Sequence, residues 1–298
     1  MLNIEKYAAI DIGSNAIRLL IVSVIEYPGK ETQFKKTSLV RVPVRLGSDV
    51  FVKGEISEEN YSRMADSLLA FQLLMKTHHV SKYRACATSA MRDASNGEEV
   101  AHRIAEKTGI KIEIIDGNEE AALIASTDLD SYLQSDKVYL YVDVGGGSTE
   151  FSIFEDGKLV TSRSFRLGTV RLLKDIVDDS IWVEVKAWIK RSTKEYSYIS
   201  LLGSGGNINS IYKNSGKKIG EPLSYFYLAA YYEHMNQLTY EERIVDENMN
   251  ADRADVIVPA TKIFLSAMKW SGAKNIYVPK IGLSDGIIRS MYTDKTKA

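Results

Sequence analysis

Two similar α/β domains, each a mixed sheet flanked by helices, are the architecture that this sequence predicts. Three observations carry the expectation. Runs of β-branched and aromatic residues alternate with stretches whose apolar residues recur at helical spacing, the pattern of a sheet with crossover helices. The order strand, turn, strand, turn, strand that opens the chain restarts after roughly Thr127. Finally, "DIGSNAIRLLIV" from Asp11 matches "DVGGGSTEFSIF" from Asp143, each with D-[I/V]-G-[S/G] at the end of one strand and an apolar strand behind it. The offset of 132 residues is a credible domain length, and 298 residues accommodate two such domains. The expected division is 1–125 and 126–298, with a last helix near 284–296 that can pack back on the first domain.

Taken in order, "YAAIDIG" (7–13) and "IRLLIVSVIE" (17–26) read as strands joined by a tight polar turn, and "SLVRVPVRLG" (38–47) as a third. That is an antiparallel opening. From Ser57 to Val80 apolar residues recur at Met64, Leu68, Phe71, Leu74 and Met75, a helix with Ser57 as N-cap. A strand at 84–88, a helix over 97–108 closed by Gly109, a strand at 112–115 and a helix starting near Asn118 follow. The second half opens with strands at 137–144, 149–154 and 159–165. The remainder reads as helices over 169–195, 206–213, 222–246 and 252–271, with buried strands at 199–203 and 275–279.

Composition excludes several functions. With 45% apolar and 26% charged residues and a net charge of −1, the chain has no global attraction for nucleic acid or a membrane surface. Any polyanion must be held by local clusters. No apolar run near the N-terminus approaches the ~20 residues of a bilayer span, and no signal-peptide pattern opens the chain, so a cytoplasmic location is expected. A single cysteine, Cys86, forms no intrachain disulfide, and its apolar neighbours predict a buried thiol. His78, His79, His102 and His234 have no metal-ligand spacing, which argues against zinc.

The glycines of "DVGGGST" and of "GSGGN" (203–207) admit two explanations. Glycine supplies positive φ in hairpin turns. Turns without side chains also let backbone N–H groups converge on an oxygen-rich anion, helped by a following helix N-terminus. With the D-x-G turn of "DIGSN" (11–15) there are three such loops, each beside a strand end, and together they favour the second explanation and a phosphate guest.

The ordered segments "DIGSNAIRLLI" (11–21), "ATSAMRDASN" (87–96), "IIDGNEEAALI" (114–124), "DVGGGSTEF" (143–151), "FRLGTVRL" (165–172) and "GSGGNINSI" (203–211) resemble the exopolyphosphatase and guanosine pentaphosphate phosphohydrolase family, within the actin-like ATPase superfamily. The resemblance spans nearly the whole chain and is to the short, two-domain form without a helical HD-like extension. It implies two duplicated actin-like (ribonuclease H-like) domains with mixed five-stranded sheets and a cleft between them. It further implies hydrolysis of the terminal phosphoanhydride of inorganic polyphosphate, or removal of the 5′-phosphate of guanosine pentaphosphate, by a cytoplasmic homodimer with no nucleic-acid or membrane partner.

By that resemblance Glu120 is the base that positions the attacking water, with Glu119 as the register alternative, and Glu150 assists. Arg92, Ser14, Asn15, Gly145, Gly146, Gly147, Ser148, Gly205 and Gly206 are expected to hold substrate phosphates. Asp143, Glu150 and Asp11 are the candidate ligands of Mg²⁺, whose hard-oxygen preference suits carboxylates, and a monovalent cation is a further candidate cofactor. Asp11 could equally cap its own turn. Arg45 and Arg171 read first as surface salt-bridge residues and second as phosphate contacts, and Lys186, Lys190, Arg191 and Lys194 as a solvated helix face. Two departures from the family pattern stand out: "GSGGN" lacks a threonine-rich loop, and "LSDG" (283–286) replaces an arginine- and glutamate-containing version. A small-molecule kinase and a non-hydrolytic polyphosphate sensor are the readings from other classes.

Overall fold

A computed structural model describes residues 1–127 and 137–297. They fall into two compact units: Met1–Thr127 together with the segment from Leu283 onward, and a second unit that ends at Gly282.

The first unit runs β1 (Asn3–Ile12), β2 (Ile17–Glu26), β3 (Gln33–Val42), α1 (Leu46–Lys53), α2 (Glu58–Thr77), β4 (Lys82–Ala87), α3 (Ser89–Asp93), α4 (Gly97–Thr108), β5 (Ile112–Ile114) and α5 (Gly117–Ala125). Its sheet has the order β3-β2-β1-β4-β5, antiparallel across β1, β2 and β3 and parallel from β1 to β4 and β5. Side chains alternate along β1, so Ala8, Ile10 and Ile12 pack into one apolar layer with Met64, Leu68, Phe71 and Ile104. Tyr7 and Ala9 enter a second layer on the other face. Local chemistry sets the helix ends. Ser57 accepts the Asn60 N–H as the α2 cap, and Gly109 closes α4 at φ 70°, a left-handed conformation that glycine adopts without a Cβ clash.

The second unit runs β6 (Val138–Val144), β7 (Thr149–Glu155), β8 (Lys158–Phe165), α6 (Thr169–Leu173), α7 (Asp179–Thr193), β9 (Ile199–Ser204), α8 (Gly206–Asn214), β10 (Leu223–Ser224), α9 (Tyr225–Gln237), α10 (Tyr240–Val245), α11 (Ala251–Ala254), α12 (Ile257–Ser271) and β11 (Asn275–Tyr277). The sheet order is β10-β11-β9-β6-β7-β8. Strands β6 to β9 repeat the plan of β1 to β4: an antiparallel meander, then a parallel partner beside the first strand. The last helix, α13 (Leu283–Lys297), belongs to the first unit, where Leu283, Ile287 and Ile288 join Tyr7, Ala9, Leu20 and Leu123 in the second apolar layer.

Several boundaries differ from the sequence expectation. The third strand lies at 33–42 rather than 38–47 and pairs Ile17 with Val42. Beyond it Pro43 lacks the N–H a ladder needs, and Arg45 turns the chain at φ 63° into α1. The second sheet has six strands rather than five, because the two residues of β10 pair antiparallel with β11. The helix expected over 169–195 is broken, with Asp175 at φ 54° and Asp178 capping α7 through the Ser180 N–H. The one expected over 222–246 ends at extended Leu238 and restarts from a Thr239–Glu242 capping box.

Candidate functional site

The two copies of the D-x-G hairpin share one construction. Gly13 N–H donates to Ala16 C=O at 3.1 Å, and Gly145 N–H donates to Ser148 C=O at 3.0 Å. In both, turn carbonyls are engaged by the start of the helix that follows the third strand. Arg45 N–H donates to Asn15 C=O (3.1 Å) and Gly47 N–H to Ser14 C=O (2.8 Å). In the second unit Thr169 N–H donates to Gly145 C=O (3.0 Å), Val170 N–H to Gly146 C=O (2.8 Å), and Arg171 Nε to Gly147 C=O (2.8 Å).

The consequence follows from peptide geometry. In a trans peptide the C=O and the next N–H point in opposite directions. Pinning the carbonyls of Gly145, Gly146 and Gly147 toward α6 and Arg171 therefore turns the N–H groups of Gly146, Gly147 and Ser148 away from them. Those three donors have no acceptor among the described residues. None of the three glycines has positive φ, so left-handed backbone is not why they are glycine. The tight constraint sits at Gly168, where a Cβ would lie 2.3 Å from Gly146 O and 2.5 Å from the Gly147 carbonyl carbon. Gly205 does need its freedom: it caps α8 at φ 109°, and a Cβ there would meet Val144 O at 2.8 Å and Asp143 Oδ1 at 3.4 Å. Gly206 C=O accepts from Arg253 Nη1.

The residue facing the aspartate differs between the two copies. Asp11 is directly opposite Arg18 in the β1–β2 register, and the buried carboxylate accepts the Arg18 guanidinium at 2.9 Å. At the equivalent place in the second unit Asp143 is opposite Glu150. Glu150 is buried and accepts the Ser164 hydroxyl at 2.8 Å. Two carboxylates and water, completed by phosphate oxygens, match what Mg²⁺ takes, since that ion keeps several waters and needs no all-protein cage. Among the described residues no group of three or more His, Cys, Asp or Glu side chains is placed to hold a metal ion.

In the first unit Asp116 caps α5 by accepting the Asn118 and Glu119 N–H groups at 2.8 Å each, which fixes where the "GNEEA" helix begins. That start sends the two glutamates different ways. Glu119 is half-exposed and ion-paired with Arg84 at 2.7 Å, a guanidinium that also grips Glu113 at 2.6 Å. Glu120 is buried, with its carboxylate 4.0 Å from the Arg92 guanidinium. Arg92 in turn donates to Ile115 C=O at 2.6 Å, just ahead of α5. A buried carboxylate beside an arginine fork can take a proton from water while the arginine holds an anionic oxygen.

Within the first unit the structure thus places Glu120 beside Arg92, and pairs Asp11 with Arg18 at the end of the strand that precedes the Ser14–Asn15 turn. Within the second it groups Asp143, Glu150, Gly145, Gly146, Gly147 and Ser148, with Gly205 against the strand end. Arg171 is not on a surface salt bridge: it is 7% exposed and bonded to the glycine turn. Its role and that of Gly168 were missed by sequence reasoning, although a signal existed. "RLG" stands at 45–47 and again at 166–168, after the third strand of each half.

The duplicated β-β-β-α-β units, each with a glycine turn after its first strand, agree with solved structures. An Aquifex aeolicus Ppx/GppA protein aligns with TM-score 0.77 at 23% identity over 99% of this chain and all of the other. A Cytophaga hutchinsonii exopolyphosphatase aligns with TM-score 0.84 at 24% identity, covering 97% and 98% of the two chains. The Ppx/GppA phosphatase family matches residues 29–295, and this chain belongs to that family. Exopolyphosphatase 1 of Mycobacterium tuberculosis is 23% identical over 95% of this chain and 87% of its own length. A bifunctional 3-dehydroquinate synthase/phosphatase of Fusobacterium nucleatum is 31% identical over 68% of this chain, which spans 34% of that longer protein.

Proposed function

We propose that this phosphatase is an exopolyphosphatase, which hydrolyses the terminal phosphoanhydride of inorganic polyphosphate and releases orthophosphate. The observation that carries the reading is the buried Glu120 beside Arg92, while the neighbouring Glu119 is engaged by Arg84. Relatives named exopolyphosphatase across most of the chain support the substrate.

In the proposed reaction Glu120 accepts a proton as a water oxygen bonds to the terminal phosphorus. The bridging P–O bond breaks, and the shortened chain leaves with its negative charge on oxygen. Little covalent chemistry falls to the protein, so positioning and charge stabilisation dominate. Arg92 presents a planar fork to the phosphate oxygens. The N–H groups of Gly146, Gly147 and Ser148 offer directed donors that need no reorganisation. Asp143 and Glu150 would hold Mg²⁺, which when bound would neutralise phosphate charge. Asp11, engaged by Arg18, is left to shape its turn. We further propose that the enzyme acts in the cytoplasm as a homodimer.

A guanosine pentaphosphate phosphohydrolase is the second reading, favoured by a guanosine-5′-triphosphate,3′-diphosphate pyrophosphatase of Photobacterium profundum that is 32% identical over 58% of this chain. The test is orthophosphate release from polyphosphate of defined lengths and from guanosine pentaphosphate, with Mg²⁺ and after chelation. Glu120→Gln is expected to lower kcat by roughly 10²–10⁴-fold with little change in KM, and Asp143→Asn to raise the Mg²⁺ needed for half-maximal rate. A Glu120→Gln enzyme with wild-type kcat would overturn the assignment, and faster release from guanosine pentaphosphate would select the second substrate.

A further inference from the structure

We propose that Gly286 on α13 is a positioning residue for Glu120, acting through the backbone of α5; the inference rests on the assignment of Glu120 made above. A Cβ on Gly286 would lie 2.0 Å from the Leu123 carbonyl oxygen, 2.5 Å from its carbon and 3.2 Å from the Ile124 nitrogen. Gly286 does not have positive φ, so close approach rather than conformational freedom demands glycine inside this helix.

Leu123 lies three residues after Glu120 and so shares its side of α5. Its carbonyl is held by Ser126: it accepts the Ser126 N–H at 3.2 Å and the Ser126 hydroxyl at 2.6 Å, and that hydroxyl also lies 3.4 Å from Gly286 C=O. Ser126 thus bridges the end of α5 to α13.

The partner helix cannot easily retreat. Leu283, Ile287 and Ile288 are buried with Leu123 in one apolar layer. Asp285 pairs with Lys36 at 2.7 Å, and Lys295 donates to Glu5 at 2.6 Å. The Tyr292 hydroxyl bonds to Thr32 at 2.7 Å and Glu26 at 3.0 Å, and the Arg289 guanidinium lies over the Phe34 ring at 4.0 Å. An added methyl group at 286 is therefore relieved by moving α5. A shift of roughly 1 Å is required to restore ordinary contact, and misplacement on that scale costs on the order of 10²-fold in rate. The departure noted at "LSDG" places this glycine where the last helix meets the helix that bears the base.

The test is a double-mutant cycle on polyphosphate hydrolysis. Gly286→Ala is expected to lower kcat by about 10–100-fold with KM within about twofold of wild type. In a Glu120→Gln background the same substitution is expected to change the residual rate by less than about twofold, because the group it displaces is already disabled. If Gly286→Ala does not accumulate as folded protein, Ser126→Ala tests the same link without adding an atom. Its expected effect is a roughly threefold loss of kcat that likewise disappears in the Glu120→Gln background. Equal losses in both backgrounds would assign Gly286 to general packing and overturn the proposal, as would wild-type kcat in both Gly286→Ala and Ser126→Ala. Wild-type activity in Glu120→Gln alone would instead remove the Glu120 assignment, and this proposal with it.

Discussion

Replacing Gly168 with alanine tests whether the helix that follows β8 holds the glycine turn. The new Cβ would stand 2.3 Å from Gly146 O, 2.4 Å from Gly146 C and 2.5 Å from Gly147 C, all backbone atoms with no rotamer to move. Restoring contact separates α6 from the turn by about 1 Å, enough to break the bonds from Thr169 N–H to Gly145 C=O (3.0 Å) and from Val170 N–H to Gly146 C=O (2.8 Å). At about 1 kcal/mol net for each bond, with some loss of packing around the buried Leu167 and Val170, the second unit should lose about 2–3 kcal/mol. For a domain of this size that corresponds to a fall in Tm of about 5–10 °C. The assay is built into the chain: Trp182, Trp188 and Trp270, its three tryptophans, all lie in the second unit, so a fluorescence-detected melt follows that unit alone. Gly282→Ala is the control, because its Cβ would meet only Ser204 Oγ, at an ordinary 3.6 Å, and a shift within about 1 °C is expected. As the three N–H groups lose their orientation, kcat/KM should fall at least about tenfold in Gly168→Ala. A Gly168→Ala protein that melts with the control and keeps full kcat/KM would refute the reasoning that α6 orients the turn.

The docking of α13 should depend on pH at both extremes. The hydrogen bond from Lys295 lowers the Glu5 pKa, and the same bond raises that of Lys295. A depressed carboxylate contributes stability above its unfolded value of about 4.3 and loses it as pH falls through the folded value. A raised ammonium contributes below about 10.4 and loses that as pH rises through the folded value. Lys295→Met should therefore lower the Tm of the first unit between those limits and flatten both limbs, as checked by circular-dichroism melts from pH 3 to 11; an unchanged acid limb would contradict the pairing. Cys86 is buried, and desolvation pushes its thiol up to about 12. Iodoacetamide at pH 8 should alkylate it about a thousandfold more slowly than a free thiol until guanidinium unfolds the chain, and rapid labelling of the native protein would contradict the burial.

How far the sequence revealed the molecule depends on how local each determinant is. Helix α4 was readable because its terminator, Gly109, is its immediate neighbour, and α2 because Ser57 caps it. The duplicated hairpins were readable because β-branched runs flank them on both copies. Strand β3 was misplaced because its register is set by pairing with β2, which the alternation of 38–47 does not contain, and because Pro43 inside that stretch ends the ladder. Two-residue β10 has no periodicity to detect. In the site, the resemblance favours Glu120 over its register alternative Glu119, but residue pattern alone does not separate them, because the Asp116 cap and the distant Arg84 and Arg92 set the directions they face. Arg171 resembled any surface arginine until its bond to Gly147 C=O placed it inside, and the contact between Gly286 and Leu123 joins segments that no spacing rule relates.

The duplication also explains why one hairpin is the better candidate for handling charge. Both copies end their first strand in an aspartate, and both fold the glycine turn back against a helix start. Directly opposite side chains of an antiparallel pair lie within about 5.5 Å, so the identity of the facing residue sets the local charge. In the first unit that residue is Arg18, and the Asp11–Arg18 pair adds no net charge at the strand end. In the second it is Glu150, so Asp143 and Glu150 together present two carboxylates beside three N–H donors turned away from α6. Two facing carboxylates are the donor type a divalent cation would take, and backbone N–H groups are the donor type that phosphate oxygens would accept from. The same backbone thus occurs twice, once with Arg18 facing the aspartate that ends the first strand and once with Glu150 in that place.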